Sequence, residues 1–447
     1  MSYIRRSIDT VFAEWVRAPS RKPLLLRGAR QVGKTRSVRE LKSQFSSLLE
    51  INFLENKRAC SVFTSDDLSP VRICRELGAL YSEEIIDGRT LLFLDEVQVC
   101  PQAIEALRFF YEQRPNLHVV AAGSLLEFAL EDLSSFGVGR IQSVYMRPIT
   151  FREFLNAMGM NQLIAEIERA NSKAPLPEVL HAQALSLLKD YLLLGGLPEV
   201  IAAYLERKDF TEPGRILSLL RDGYEDDFTK YKGKVPQARL SDTLRAVAQQ
   251  TGKKFIYRHA YVDAVSAQVH QALHLLEMAG LVIRVRHTAA NGIPLGAEVD
   301  TARFKAMLFD IGLYQKLLGL SPRELIGRDV DAFIHRGSLC EAFVGMELLG
   351  IEPAFSRGEL WYWHRESRNS NAEVDYLLQI GTHIVPVEVK ANTRGSMTSL
   401  QIFMKEKKAK LGLRISAENF GRCDNFLIVP LYATNEIGRL VRQELDQ

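Results

Sequence analysis

The sequence predicts an α/β chain: a parallel sheet wrapped by helices in the first third, an all-helical stretch behind it, and a second α/β unit at the end. Three observations predict this. Short apolar runs alternate with helix-like segments between Leu24 and Ile149, which is how a parallel sheet covered on both faces reads. A glycine-bounded loop joins the first run to the first helix. In the last third, two runs bearing carboxylates and a lysine flank a Gly381-Thr382 turn.

The predicted strands are 24–26, 48–53, 91–94, 117–122 and 141–146. Between the first strand and the following helix stands Gly28-Ala29-Arg30-Gln31-Val32-Gly33-Lys34-Thr35, a G-x-x-x-x-G-K-T loop. Glycines at both ends let the backbone curl, so that successive N–H groups converge on phosphate oxygens at the positive end of a helix dipole. All eight residues are expected to line a nucleoside triphosphate, with Lys34 on the β- and γ-phosphates and the Thr35 hydroxyl on Mg²⁺. The run Leu91-Leu92-Phe93-Leu94-Asp95-Glu96 supplies the matching acidic strand end. Asp95 is expected beside Thr35 in the Mg²⁺ shell, and Glu96 as the group that polarises the attacking water. Ser124, after a further apolar strand, is a candidate sensor of the γ-phosphate. Arg140 and Arg147 flank the last strand, and either could supply positive charge to phosphoryl transfer, in its own subunit or a neighbour's.

Composition fits several domains. With 447 residues, 47% hydrophobic and 25% charged, the chain can bury more than one core. A net charge of +3 is too small to imply a nucleic-acid partner by itself. Cys60, Cys74, Cys100, Cys340 and Cys423 lack C-x-x-C spacing, so neither a disulfide framework nor a zinc ribbon is expected, and reduced thiols in a cytoplasm fit best. No run approaches the roughly 20 apolar residues of a membrane span, and no secretion signal opens the chain.

Residues 1–150 are therefore expected to form the nucleotide-binding core. From 151 to 235 the pattern is helical, broken at Leu194-Gly195-Gly196-Leu197-Pro198-Glu199; it reads either as a lid over the nucleotide or as a helical spacer. Residues 236–300 read as helix, helix, longer helix ending at Gly280, then the strand Leu281-Val282-Ile283-Arg284-Val285, the order of a winged helix. Such a unit either sets its third helix in a DNA groove with Arg284 and Arg286 on phosphates, or joins protein domains.

Residues 301–447 carry a separate constellation. Glu341 lies on a helix-like segment, Asp375 on one strand, and Glu388 and Lys390 on the next, where residues i and i+2 share a face. A hairpin would set Asp375 beside Glu388. Paired carboxylates suit Mg²⁺, and a neighbouring lysine suits activation of a water attacking a phosphodiester. Alternating charge on an exposed strand face would give the same spacing.

Taken together, the loop 28–35, Asp95-Glu96-Val97-Gln98, Gly123-Ser124, Gly139-Arg140, Gly195-Gly196-Leu197-Pro198-Glu199 and Glu388-x-Lys390 resemble AAA-like P-loop ATPases with a C-terminal DUF4143 region. The resemblance implies an ATPase core with helical lid, a winged helix and a restriction-endonuclease-like α/β domain of the PD-(D/E)-x-K type. It maps Asp375, Glu388 and Lys390 onto that domain's core and Glu341 onto its first helix. Val374 stands where the proline of the acidic pair would be. The expected function is ATP binding and hydrolysis coupled to a nucleic-acid-associated C-terminal half, in an assembly that could include further copies of the chain. The alternatives are an ATP-controlled Mg²⁺-dependent nuclease, or a nucleotide-gated scaffold with an inactive nuclease fold.

Overall fold

A computed structural model describes residues 3–65, 67–131, 137–231, 235–320, 337–365, 372–391 and 396–445. Five strands, β1 (Leu24–Arg27), β2 (Ser47–Asn52), β3 (Thr90–Asp95), β4 (His118–Ala122) and β5 (Gln142–Tyr145), form a parallel sheet in the order β2-β3-β4-β1-β5. Their continuous apolar character follows from burial on both faces. Leu24, Leu26, Leu91, Phe93, Val120 and Ala122 face one core, while Leu25, Leu92, Leu94, Val119 and Ala121 face the other, the period-2 alternation of a strand. Because β4 lies between β1 and β3, three neighbouring carboxyl ends present the glycine loop, Asp95-Glu96 and Gly123-Ser124 side by side.

The stretch behind the sheet is helical, with its long helices at Glu178–Leu194, Pro198–Arg207 and Thr211–Asp227. The double glycine lets two polar groups approach closely. A Cβ on Gly195, whose φ is +76°, would lie 2.6 Å from Asp310 Oδ1, and one on Gly196 would lie 2.4 Å from the Ile149 carbonyl. Asp310 accepts from the Gly196 and Leu313 amides at 2.7 and 2.8 Å. It thereby caps the helix Ile311–Leu317 and ties it to the break.

Two of the three helices expected in the winged-helix region are present, Gln237–Gln250 and Ser266–Met278; a single turn, Tyr257–His259, replaces the middle one. The strand predicted to follow is β6 (Val282–Thr288), which pairs antiparallel with β7 (Val299–Leu308). The hairpin is not a free wing. β6 also pairs in parallel with β8 (Leu360–His364), and the sheet continues through β9 (Glu373–Ile380), β10 (His383–Val389), β11 (Gly412–Ser416), β12 (Gly421–Cys423) and β13 (Phe426–Pro430). The order is β12-β13-β11-β10-β9-β8-β6-β7, so β6 is interior and β7 crosses residue 300. Periodicity shows a strand but not its neighbour.

One face of the ATPase-type sheet shares a single apolar core with the helical region and the second sheet, running from Ile4 to Val441. The helix Gly337–Gly350 is buried from Leu339 to Leu349 because apolar residues occupy every side of it, and it carries two carboxyls, Glu341 and Glu347, inward with them. Among the described residues no helix is long and apolar enough to cross a membrane.

The cysteines correct one expectation. Cys60 and Cys100 form a disulfide with Cα atoms 5.7 Å apart. Cys60 lies on the short helix Arg58–Ser61 and Cys100 immediately before the helix Pro101–Gln113. Forty residues of separation hide this pairing from a reading of spacing, because tertiary packing alone brings the two together.

Candidate functional site

The loop after β1 curls tightly at Gly28. Its φ is +133°, and a Cβ there would lie 2.2 Å from the Met146 carbonyl oxygen, so only glycine fits between the loop and the end of β5. Lys34 opens the helix Lys34–Glu40 and donates to the Gly28 and Ala29 carbonyls at 2.9 and 2.7 Å. Burial brings its ammonium down to about 8, against the opposing pull of Glu96 and Asp95. The Thr35 hydroxyl donates to Asp95 Oδ2 at 2.9 Å. Burial raises the Asp95 carboxyl, and the hydrogen bonds from Thr35 and the Glu96 amide oppose that rise.

Glu96 sits at φ +53°, left-handed for a residue with a side chain, the kind of local strain that needs surrounding support. That support is visible: Glu96 Oε2 accepts from Ser124 Oγ at 3.2 Å and from the Gln98 side-chain amide. Ser124 in turn accepts from Arg30 Nε at 3.0 Å. Arg30 also pairs with Asp227, and its carbonyl accepts from Tyr224 Oη at 3.0 Å. The glycine loop is thus held by the last turn of the helix Thr211–Asp227.

Beside Gly33 opens a cavity of about 240 Å³, bordered by Tyr3, Arg6, Ser37, Pro198 and Glu199. Arg6 pairs with buried Glu153 at 3.0 Å and donates to the Val32 carbonyl at 3.2 Å and the Arg147 carbonyl at 2.7 Å. The two candidate arginines part company here. Arg140 is exposed and paired with Glu112, whereas Arg147 is half-buried and donates to the Ser356 and Arg357 carbonyls at 2.9 and 3.0 Å. Asp227, Arg6 and Gln98 belong to this neighbourhood although the reading of the sequence gave them no role. The capping box Thr150-x-x-Glu153 was the one legible trace of the Arg6 partner.

The second constellation assembles through the expected hairpin. β9 and β10 are antiparallel with Val387 opposite Tyr376, so Asp375 falls next to Glu388 across the pair. Asp375 Oδ2 accepts from the Val389 amide at 2.9 Å, and Lys390 donates to Glu388 Oε1 at 2.6 Å. Glu388 Oε2 is buried and has no hydrogen-bond partner among the described residues. Burial, reinforced by the Asp375 charge, pushes the Glu388 carboxyl up. Glu341, from the buried helix, joins the same face.

Unforeseen in the sequence is Lys305. Its side chain is 2% exposed, and its ammonium lies 2.8 Å from Glu341, 2.6 Å from Glu373 and 3.5 Å from Asp375. It reaches these groups from β7 across the face of Tyr362, 5.4 Å from the ring centre. Burial would lower this ammonium, but the three carboxylates outweigh it and keep the group charged. Among the described residues no three His, Cys, Asp or Glu side chains are arranged to hold a metal ion. The signal available was a lysine inside the apolar run Phe304 to Phe309, which a folded chain tolerates only with partners.

The wing arginines are likewise committed. Arg284 pairs with Glu277 at 2.6 Å and lies over the Phe304 ring, and Arg286 pairs with Glu359 at 2.6 Å. β6, which carries both, lies inside the second sheet and not on a free wing.

A strand-bounded glycine loop, its paired acidic strand end and the β2-β3-β4-β1-β5 order define a P-loop ATPase-type core. Known sequence families agree: an AAA domain matches residues 20–155, the domain of unknown function DUF8612 matches 185–324, and DUF4143 matches 336–434. The chain is an AAA-like P-loop ATPase-type protein with a C-terminal DUF4143 domain. No curated protein matches it. Among solved structures it is similar to a Walker-type ATPase of Pyrococcus abyssi, at 16% identity over 71% of this chain and 96% of that one, with a TM-score of 0.43. Cdc6p from Pyrobaculum aerophilum matches at 14% identity over 71% and 96%, with a TM-score of 0.25. The Orc1 protein of Aeropyrum pernix, solved with DNA, matches at 14% over 70% and 90%, with a TM-score of 0.24.

Proposed function

We propose that the chain binds ATP with Mg²⁺ at the loop 28–35, hydrolyses it with Glu96 as general base, and passes the nucleotide state to its C-terminal half. The observation that carries the reading is the set of polar groups at three adjacent strand ends: Thr35 on Asp95 at 2.9 Å, and Glu96 held by Ser124 at 3.2 Å. Loop amides and Lys34 would bind the phosphates, and the cavity between Tyr3 and Pro198 would seat the nucleoside. The Thr35 hydroxyl and Asp95 carboxylate are hard oxygen donors already side by side, which suits Mg²⁺; the ion would supply charge neutralisation at the β- and γ-oxygens. Glu96 takes the proton of a water attacking the γ-phosphorus, and Ser124 fixes the carboxylate that does so.

Transmission is supported by a chain of contacts. Arg6 joins the Val32 carbonyl to the Arg147 carbonyl, and the Arg147 guanidinium holds the Ser356 and Arg357 carbonyls beside β8. Nucleic acid as the partner of the C-terminal half rests on the resemblance to endonuclease-like domains alone, since the winged-helix order is incomplete and Arg284 and Arg286 are engaged in ion pairs.

Two variants test the nucleotide reading. Lys34→Ala is expected to remove ATP binding by calorimetry, and retained wild-type affinity would dismiss the loop assignment. Glu96→Gln is expected to bind ATP yet turn it over at least ~10²-fold more slowly, the scale of a lost general base.

A further inference from the structure

A divalent ion in the second constellation would need several oxygen ligands converging on one open point. The structure fills that point differently. Glu341 arrives from the buried helix, Glu373 and Asp375 from one face of β9, and all three converge on the Lys305 ammonium at 2.8, 2.6 and 3.5 Å. Asp375 spends its other oxygen on the Val389 amide. Glu388 gives one oxygen to Lys390 and keeps a single unpartnered one among the described residues. The carboxylates that a Mg²⁺-dependent nuclease would devote to a metal are thus occupied by two lysines of the same chain. We infer that Lys305 is an internal cation standing where a divalent metal would sit, so that the DUF4143 half keeps the shape of a metal-dependent nuclease without its metal.

The chemistry is consistent at each step. Three carboxylates gathered in a largely shielded cluster repel one another and call for a cation. An ammonium satisfies that requirement with one charge and three donors, and it cannot polarise a water as a metal does or leave an open coordination position for a phosphodiester oxygen. Its ammonium lies over the Tyr362 ring and its side chain is 2% exposed, so an ion entering from solvent would have to displace a buried, triply paired group. The inference does not depend on the ATP reading, because none of these residues touches the glycine loop.

Mn²⁺ titration of the full chain without nucleotide, followed by electron paramagnetic resonance, tests it. Wild-type protein is expected to show no Mn²⁺ site that Asp375→Asn removes. Lys305→Met keeps an unbranched apolar stem one atom shorter and deletes the charge, and is expected to gain a Mn²⁺ site at least 10-fold tighter than anything in the wild type, lost again when Asp375→Asn is added. A wild-type site abolished by Asp375→Asn would overturn the inference, and so would a folded Lys305→Met protein that gains none. Should Lys305→Met fail to fold, the wild-type and Asp375→Asn titrations decide alone. Repeating the series on Lys34→Ala, with the same outcome expected, separates failure here from failure of the nucleotide reading.

Discussion

Glu96 is held in a left-handed backbone conformation with its carboxylate fixed by Ser124 and Gln98, so the proposed general base is oriented before any water arrives. Ser124→Ala is expected to lower kcat by about 10-fold, less than loss of the base itself, with little change in KM; an unchanged kcat would leave orientation to Gln98. Glu347 offers a pH readout elsewhere. It is fully buried, accepts from the Phe151 amide at 2.9 Å, and has Glu153 as its charged neighbour. Burial pushes its carboxyl up to about 8. With the folded value above the unfolded one, the folded state holds a proton that the unfolded state has released. Stability therefore falls as pH rises from about 4.5 to 8, by up to about 1.4 kcal/mol per unit. Glu347→Gln is expected to make the pH slope shallower in denaturant titrations, with Asp310, Glu341 and Glu388, also raised by burial, keeping part of it; an unaltered slope would place the titrating group elsewhere. Lys34, Thr35, Asp95, Glu96 and Ser124 were legible in the sequence because ends of parallel strands are neighbours by construction. Lys305 was not, since its partners lie on a distant strand and a helix whose approach depends on how the second sheet curls.

At the scale of elements, periodicity located the five strands of the first sheet within a residue or two, and the E-x-K hairpin appeared with its turn at Gly381. Pairing beyond nearest neighbours was hidden. β6 read as a wing because nothing local announces that β8, more than 70 residues on from it, will pair beside it. The double glycine read as a break, and the structure supplies its reason: Gly196 donates to Asp310 at 2.7 Å while its own missing Cβ leaves room for the Ile149 carbonyl. Gly196→Ala must push that carbonyl away, and overpacking of this kind costs about 1–3 kcal/mol. A thermal melt should show the loss. No change in melting would mean that the strand-to-helix corner at Ile149 yields freely.

Across the whole molecule, the shared core from Ile4 to Val441 makes the nucleotide-binding sheet and the second sheet parts of one packed body. Close-packed interiors shift between discrete arrangements more readily than they deform, so a change at the loop is carried to the second sheet by groups bonded, directly or through one neighbour, to both. Arg147 is such a group: its carbonyl is held by Arg6, which also touches Val32, and its guanidinium holds the Ser356 and Arg357 carbonyls. A non-hydrolysable ATP analogue is therefore expected to change amide hydrogen exchange at 356–364 in the wild type. In Arg147→Ala that response should vanish while analogue affinity stays within about 3-fold, a difference under 1 kcal/mol. If the variant keeps the response, the signal runs instead through the Tyr224 and Asp227 contacts with Arg30. In that case Tyr224→Phe, which removes only the hydroxyl that bonds the Arg30 carbonyl, is the substitution expected to silence it.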